Sequence, residues 1–359
     1  MKTGTLTFHN VTNYGAMLQA YALQKYIHKL GIENEIIDFY PNTTKQVVNR
    51  SIFKKASYYM LRLPELVIKR KKIEKFNDFK NGFLSISSEK FYGDDDINNG
   101  IINYEAYVVG SDQIWNTQIT NNSQTFYLNF VDNKRKIAYA GSFGKTELSL
   151  EEKENIGNYL TSFDSLSVRE SEHQKILEEV YNITTNHVLD PVFLLNKQEW
   201  ISIAAPIKLP SKYILVYVLE NSAILHAHAK EMSKKLDAEI LYISMIPEKI
   251  KGKVITGIGP REFLYAFENA TYVCTNSFHG TAFAIIFNKQ FSVVRHTRRN
   301  SRIESLLQLA ELSHRYVDST TDKVEIINYG DVLENINIHI KSSKKFLENA
   351  LEESTVSEK

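Results

Sequence analysis

The stretch from Tyr272 to Phe287, YVCTNSFHGTAFAIIF, limits the possible folds more than any other part of the chain. A short apolar run stops at a polar turn, and a strongly apolar helix begins at once. A helix that is apolar on every side must be buried on every side, which a layered β/α structure provides. The arrangement also sets a polar turn at the carboxyl end of a strand, where open β/α sheets bind their ligands. Asn276 and Ser277 are placed to cap the helix, Gly280 lets backbone come close to a ligand, and the N–H groups of the first turn suit an anion. His279 stands in the middle of this turn, and the local pattern fits a hydrogen-bonded structural histidine as well as a ligand-facing one. Cys274, the only cysteine, lies inside the strand and reads as core rather than nucleophile.

Alternation of strands and helices extends along the whole chain. Gly4 to Phe8 and Ile36 to Phe39 are β-prone, and between them Ala16, Ala20, Leu23, Ile27 and Leu30 form one helical stripe that Gly31 ends. Further strands are expected at Ala106 to Val109, Ile137 to Ala140 and Ser165 to Val168. Beyond a proline-bearing stretch at Trp200 to Lys212 the alternation resumes. Strands are expected at Tyr213 to Leu219, Glu239 to Ser244, Lys253 to Thr256, Thr271 to Thr275 and Phe291 to Val294. Helices are expected at Ala223 to Leu236, Pro260 to Asn269, Thr281 to Phe287 and Gly330 to Glu352. The pattern predicts two Rossmann-like β/α domains, residues 1–200 and 211–329, facing across a cleft, with a C-terminal helix and tail at 330–359.

A segment at 50–80 fits the layering poorly. Between Arg50 and Lys80 it holds ten Lys or Arg against three Asp or Glu, interleaved with aromatic and aliphatic residues. It reads either as a surface helical hairpin with a solvated basic face or as a platform for an anionic membrane surface. The chain as a whole has 43 basic and 42 acidic side chains, so no global field favours nucleic acid, and no nucleic-acid partner is expected. One cysteine permits neither an internal disulfide nor a cysteine-rich zinc site, and the ten histidines are scattered, so no metal site is expected. The first ten residues lack the apolar stretch of a secretion signal, and a cytoplasmic location, with peripheral contact at the inner membrane face, is expected.

Several other turns could carry chemistry. After the first strand the sequence runs Asn10 to Gly15, NVTNYG, where a dinucleotide binder would show GxGxxG, so NAD or FAD is not expected. The turn still sets Asn13, Tyr14 and the Gly15 backbone at the carboxyl edge of the sheet as a polar-ligand lip. Gly110, Ser111, Asp112, Gln113 and Trp115 close another strand in the same way; the pattern fits Asp112 accepting a hydroxyl proton and Trp115 stacking on a sugar, and equally fits Asp112 as a turn cap. Arg169 and Glu170 end the Ser165 to Val168 strand and could be no more than an ion pair. Arg295, Arg298, Arg299 and Arg302 put four guanidiniums within eight residues, forks that match phosphate and carboxylate oxygens or a solvated loop.

Taken in order, LTFHNVTNYGAMLQAYAL, VVGSDQIWN, SVRE, LDPVFLL and TNSFHGTAFAIIFNK resemble the polysaccharide pyruvyl transferase family, from about Gly4 to Leu312. The resemblance implies a glycosyltransferase-B-like domain pair that needs no cofactor beyond its donor substrate, phosphoenolpyruvate. A sugar or lipid-linked oligosaccharide would be the acceptor and a pyruvate ketal the product, in cell-surface glycan biosynthesis. It also implies that His279 is the general acid and that Arg169 holds the donor. Some members carry a donor-binding arginine two residues before that histidine, where this chain has Ser277. The expected donor site is therefore Arg169, Asn276, Ser277 and Gly280, with Arg295 and Arg298 as substitutes. The expected acceptor site is Asn13, Tyr14, Gly15, Ser111 and Trp115, with Asp112 as base. Two rival functions share the fold: a nucleotide-sugar glycosyltransferase, for which Glu304 is the nearest ribose-gripping carboxylate, and a glycan-binding relative without activity.

Overall fold

The computed structural model describes residues 1–41, 63–100, 102–145, 147–245, 250–296, 300–319 and 325–352. Its first half contains β1 (Lys2–Leu6), α1 (Tyr14–Lys29), β2 (Glu33–Tyr40), α2 (Leu63–Phe83), β3 (Ile86–Tyr92), β4 (Ala106–Val109), β5 (Arg135–Gly141), α3 (Leu150–Tyr159), β6 (Ser165–Val168), α4 (Ser171–Tyr181) and β7 (Asn186–His187). The second half contains β8 (Tyr213–Val218), α5 (Ala223–Leu236), β9 (Glu239–Ser244), β10 (Lys253–Val254), α6 (Pro260–Glu268), β11 (Tyr272–Thr275), α7 (Phe278–Ile286), β12 (Phe291–Val293), α8 (Ser301–Leu309) and α9 (Tyr329–Glu352).

Each half is a parallel sheet with helices around it. The sheet orders are β3-β2-β1-β4-β5-β6-β7 and β10-β9-β8-β11-β12. In both, the chain starts centrally, winds outward to one edge and then crosses to the other side. The switch points are therefore β1/β4 and β8/β11, whose registers pair Leu6 with Val109 and Thr275 with Tyr217. Crevices at such points are the usual ligand sites of doubly wound sheets.

Local chemistry explains the main departures from the sequence reading. Helix α7 starts at Phe278, three residues earlier than expected, because Ser277 caps it and its hydroxyl accepts from the Gly280 N–H at 3.3 Å. Strand β3 is missing from the reading because it is a sheet edge whose Ser88, Glu89 and Lys90 face solvent, so no apolar run marks it. Strand β7 is only two residues long.

The two halves share one apolar core. Helix α1 is buried on nearly every side: Tyr14, Met17, Leu18 and Tyr21 meet Trp200, Phe263 and Phe283, while Leu23 and Ile27 meet Leu347 and Leu351 of α9. Helix α9 crosses both halves, with Val332 and Ile336 in the shared core and Leu347 against the first sheet. Of the basic insert, residues 50–62 lie outside the described residues. Its described part is helix α2, which is not wholly a surface element: Phe76 and Phe79 pack in the shared core and Lys75 pairs with Glu262 of α6. Residues Glu65 to Lys71 of this helix are exposed. Among the described residues no helix is long and apolar enough to cross a membrane.

Candidate functional site

The first-domain side is built from the ends of β4 and β6. Beyond β4 the chain turns at Gly110, at φ +123°, where a Cβ would strike the Tyr139 carbonyl oxygen, and Asp112 follows at φ +70°. The turn aims the Asp112 carboxylate at two guanidiniums, 3.6 Å from Arg169 Nη2 and 3.8 Å from Arg302 Nη1. Arg169 follows directly on β6 and is only 3% exposed. Its Nη1 donates to Asp190, its Nε lies 3.6 Å from Glu170, and its Cζ lies 4.6 Å from the centre of the Phe278 ring. Its Nε and Nη2 have no hydrogen-bond acceptor among the described residues. Burial works against the charged guanidinium, but Asp190, Glu170 and Asp112 outweigh it and hold the group firmly protonated.

Glu170 is more than a partner for Arg169. Its carboxylate accepts from Ser142 Oγ at 2.6 Å and bonds His173 Nδ1 at 2.9 Å. Burial would raise its pKa, yet these contacts and the Arg169 charge pull it down to about 2.

Asp190 joins the two halves of the site. It caps the turn Pro191–Leu194 through the Val192 N–H at 3.1 Å, and its second oxygen, Oδ2, accepts from Arg169 and lies 3.6 Å from His279 Nε2. Burial opposes ionisation, but His279 and Arg169 hold its pKa far below the ordinary carboxylate range. The sequence reading did not single out Asp190 as a site residue. The available signal was one carboxylate set in the otherwise apolar LDPVFLL.

On the second-domain side, Asn276 ties the turn to the end of β8, accepting from the Leu219 N–H at 2.9 Å and donating to the Glu220 carbonyl at 2.7 Å. A Cβ on Gly280 would strike the Thr275 side chain, so this glycine serves close helix–strand packing. Asn276, Ser277 and Gly280 thus build the turn that carries His279. In the structure these three positions serve the turn itself. The His279 ring is 7% exposed, packs edge-on to Phe278 at 5.2 Å, and has no hydrogen bond at Nε2 among the described residues. Tyr217, at the end of β8, interacts with both Ser277 and Asp112, and burial raises its phenol pKa so that it stays a neutral hydroxyl. Nothing in the sequence distinguishes it from a core aromatic.

Of the other expected residues, Gly15 and Ser111 touch the site, Ser111 Oγ lying 3.5 Å from Asp190 Oδ2, while Trp115, Tyr14 and Arg295 fall elsewhere. Trp115 is fully buried, stacked on Tyr127 with its indole N–H donating to Phe126, so its face cannot receive a sugar. Ser111 is buried, with its hydroxyl donating to the Ala140 carbonyl. Tyr14 lies flat on Phe263 at 4.6 Å and donates to the Ile258 carbonyl at 3.2 Å, an inter-domain anchor rather than an acceptor contact. Gly15 faces the His279 ring so closely that any side chain would overlap it. Arg295 pairs with Glu304 and Asp318 and lies 4.1 Å from the Tyr316 ring centre, on the second domain's own surface. The same pairing occupies Glu304. Arg298 lies outside the described residues.

The structure therefore brings His279, Arg169 and Asp112 together and adds Asp190, Tyr217 and Arg302. Beside them a cavity of about 320 Å³ opens on the first domain. Asn13, Gln113, Tyr40, Phe126 and His9 line it, with Asp112 at its edge. The buried His9–Asp38 pair, 2.8 Å apart, buttresses its wall. Among the described residues no group of three side chains converges as a metal site.

The family model described as polysaccharide pyruvyl transferase matches residues 13–298. The chain belongs to that family. Among curated proteins none is significantly similar in sequence. Among solved structures, a putative UDP-N-acetylglucosamine 2-epimerase from Listeria monocytogenes shares 11% identity and a TM-score of 0.51, over 97% of this chain and 90% of the other. The UDP-GlcNAc 2-epimerase of Methanocaldococcus jannaschii shares 12% identity and a TM-score of 0.47, over 97% and 98%. For this family member, two Rossmann-type domains in a glycosyltransferase-B-like arrangement are the observed architecture.

Proposed function

We propose that the protein transfers the pyruvyl group of phosphoenolpyruvate to two hydroxyls of a sugar as a ketal. The observation that carries this reading is the His279 ring, whose Nε2 has no hydrogen bond among the described residues and lies 3.6 Å from the Asp190 oxygen that accepts from Arg169. In the reaction His279 donates a proton to C3 of the donor, which becomes a methyl group and leaves an oxocarbenium-like C2. The first sugar hydroxyl bonds C2 as Asp112 takes its proton, the C2–O bond to phosphate breaks, and the second hydroxyl closes the ketal with loss of its proton. Such a reaction needs an acid, a base and cations for the carboxylate and phosphate. The cavity beside Asp112 is the proposed acceptor side.

A second reading, a reaction on a nucleotide-sugar, draws on the full-length fold likeness to the putative UDP-sugar epimerase. The two separate by ligand-induced thermal shift, because a ligand bound to the native state raises the melting temperature. Phosphoenolpyruvate should raise it and UDP- or GDP-sugars should not, and phosphate should be released with a competent acceptor. A shift with nucleotide-sugars alone would replace the pyruvyl reading.

A further inference from the structure

Of the run's two described arginines, Arg295 and Arg302, it is Arg302 that the fold carries into the cleft. It stands in the first turn of α8 and is 7% exposed, with its Cζ 5.9 Å from the centre of the same Phe278 ring that Arg169 approaches. Two guanidiniums, one from each domain, thus flank one aromatic ring and one carboxylate. That carboxylate, Asp112, lies 3.6 Å from Arg169 and 3.8 Å from Arg302, inside ion-pair range but beyond hydrogen-bond range of either. Arg169 Nη2, deeply buried and aimed into this gap, lacks a hydrogen-bond acceptor among the described residues. Buried donors of this kind are rarely left unsatisfied, and those that are call for a ligand or a functional account.

We propose that Arg302 is the second-domain cation that grips the anionic end of the donor, opposite Arg169, and that the donor's oxygens displace Asp112 from between the two guanidiniums. Arg302 then does for this chain what an arginine at position 277 would do, reaching the cleft from α8 instead of from the turn before His279. The displaced Asp112 carboxylate turns toward the adjoining cavity, the side on which the sugar hydroxyl is expected. The inference rests on the reading that the cleft takes an anionic donor.

Calorimetric titration with phosphoenolpyruvate tests it. Arg302→Ala should weaken binding about 30-fold or more, the range for removing one partner of a buried charge pair. Arg302→Lys should recover part of the loss, since it restores charge without the fork. Arg295→Ala should change binding less than twofold. Asp112→Asn should tighten binding, because it removes the carboxylate that competes with the ligand, and asparagine tolerates the positive φ. Binding of the Arg302→Ala variant within threefold of wild type, or weaker binding by Asp112→Asn, overturns the clamp. If Arg302→Ala does not fold, the Asp112→Asn result still decides. Titration with UDP separates this inference from the donor reading. A wild-type protein that binds UDP but not phosphoenolpyruvate, and loses UDP in Arg302→Ala, keeps the clamp and discards the pyruvyl donor. A wild-type protein that binds neither refutes the clamp.

Discussion

Replacing Gly15 with alanine should disable the site at a cost in stability that leaves the protein folded. The position is in the first turn of α1, and a methyl carbon built there would lie 2.5 Å from His279 Cε1 and closer still to Nδ1 and Cγ. Ordinary non-bonded contacts need about 3.5 Å, so the ring or the facing domain must move by about 1.5 Å to clear the nearest ring atom. The ring has little room, being packed against Phe278 and nearly buried. A misplacement of about 1 Å in a reacting group can cost about 100-fold in rate. Against this, overpacking costs about 1–3 kcal/mol and alanine regains up to about 1 kcal/mol of helix propensity, so net destabilisation should be about 0–2 kcal/mol. Donor-dependent phosphate release, measured beside thermal denaturation, reads the two effects separately. Gly157→Ala in α3, where a Cβ meets nothing within 4 Å, is the control and should be neutral or slightly stabilising. Turnover by Gly15→Ala within twofold of wild type would refute the close approach and the role given to His279.

Folded-state pKa values are depressed for Glu170, to about 2, and for Asp190, so each contributes stability above its unfolded pKa that is lost as pH falls through the folded value. For Glu170 that amounts to about 3 kcal/mol between roughly pH 5 and pH 2, and denaturant titrations across this window should show Glu170→Gln with a shallower pH slope than wild type; parallel slopes would count against the assignment. Tyr14→Ala should lower stability by about 3–5 kcal/mol and Tyr14→Phe by about 1 kcal/mol, both read as denaturation midpoints, with Tyr14→Phe leaving the KM for acceptor unchanged.

The sheets were legible in the sequence wherever strands are central. β4, β6 and β9 match their expected bounds: β4 is the apolar run AYVV, β9 has ILYI at its centre, and β6 carries Leu166 and Val168 on a mostly buried strand. The edge strand β3 is polar and left no such trace. In the site, Arg169 follows directly on a strand and His279 lies in the turn-to-helix segment after one, but their roles came from the family resemblance and not from position alone. Trp115 was misread because a tryptophan near a polar turn looks available. It is in fact the centre of a buried aromatic group with Tyr127 and Phe143, formed by segments far apart in sequence. Arg302 shows the opposite error. The density of the arginine run was visible, but that Arg302 points inward depends on α8 starting at Ser301, and only the fold fixes that phase.

The shared core also bears on how the cleft works. In a pair of domains joined only by a flexible linker, the distance from His279 to Arg169 would vary with every opening. Here Tyr14, Trp200, Phe263 and Phe283 form one apolar cluster across the boundary, and α9 straps both halves. Opening the cleft widely would expose those side chains to water, at about 25 cal/mol for each Å² of apolar surface. The geometry around Asp190, Arg169 and His279 is therefore set largely by packing remote from the chemistry. Close approach at Gly15 follows from the same packing: only a residue without a side chain lets α1 sit where the apolar cluster places it. On the proposed reading, the preorganisation that an acid, a base and two cations require comes from hydrophobic burial, and the polar residues are carried into register by it.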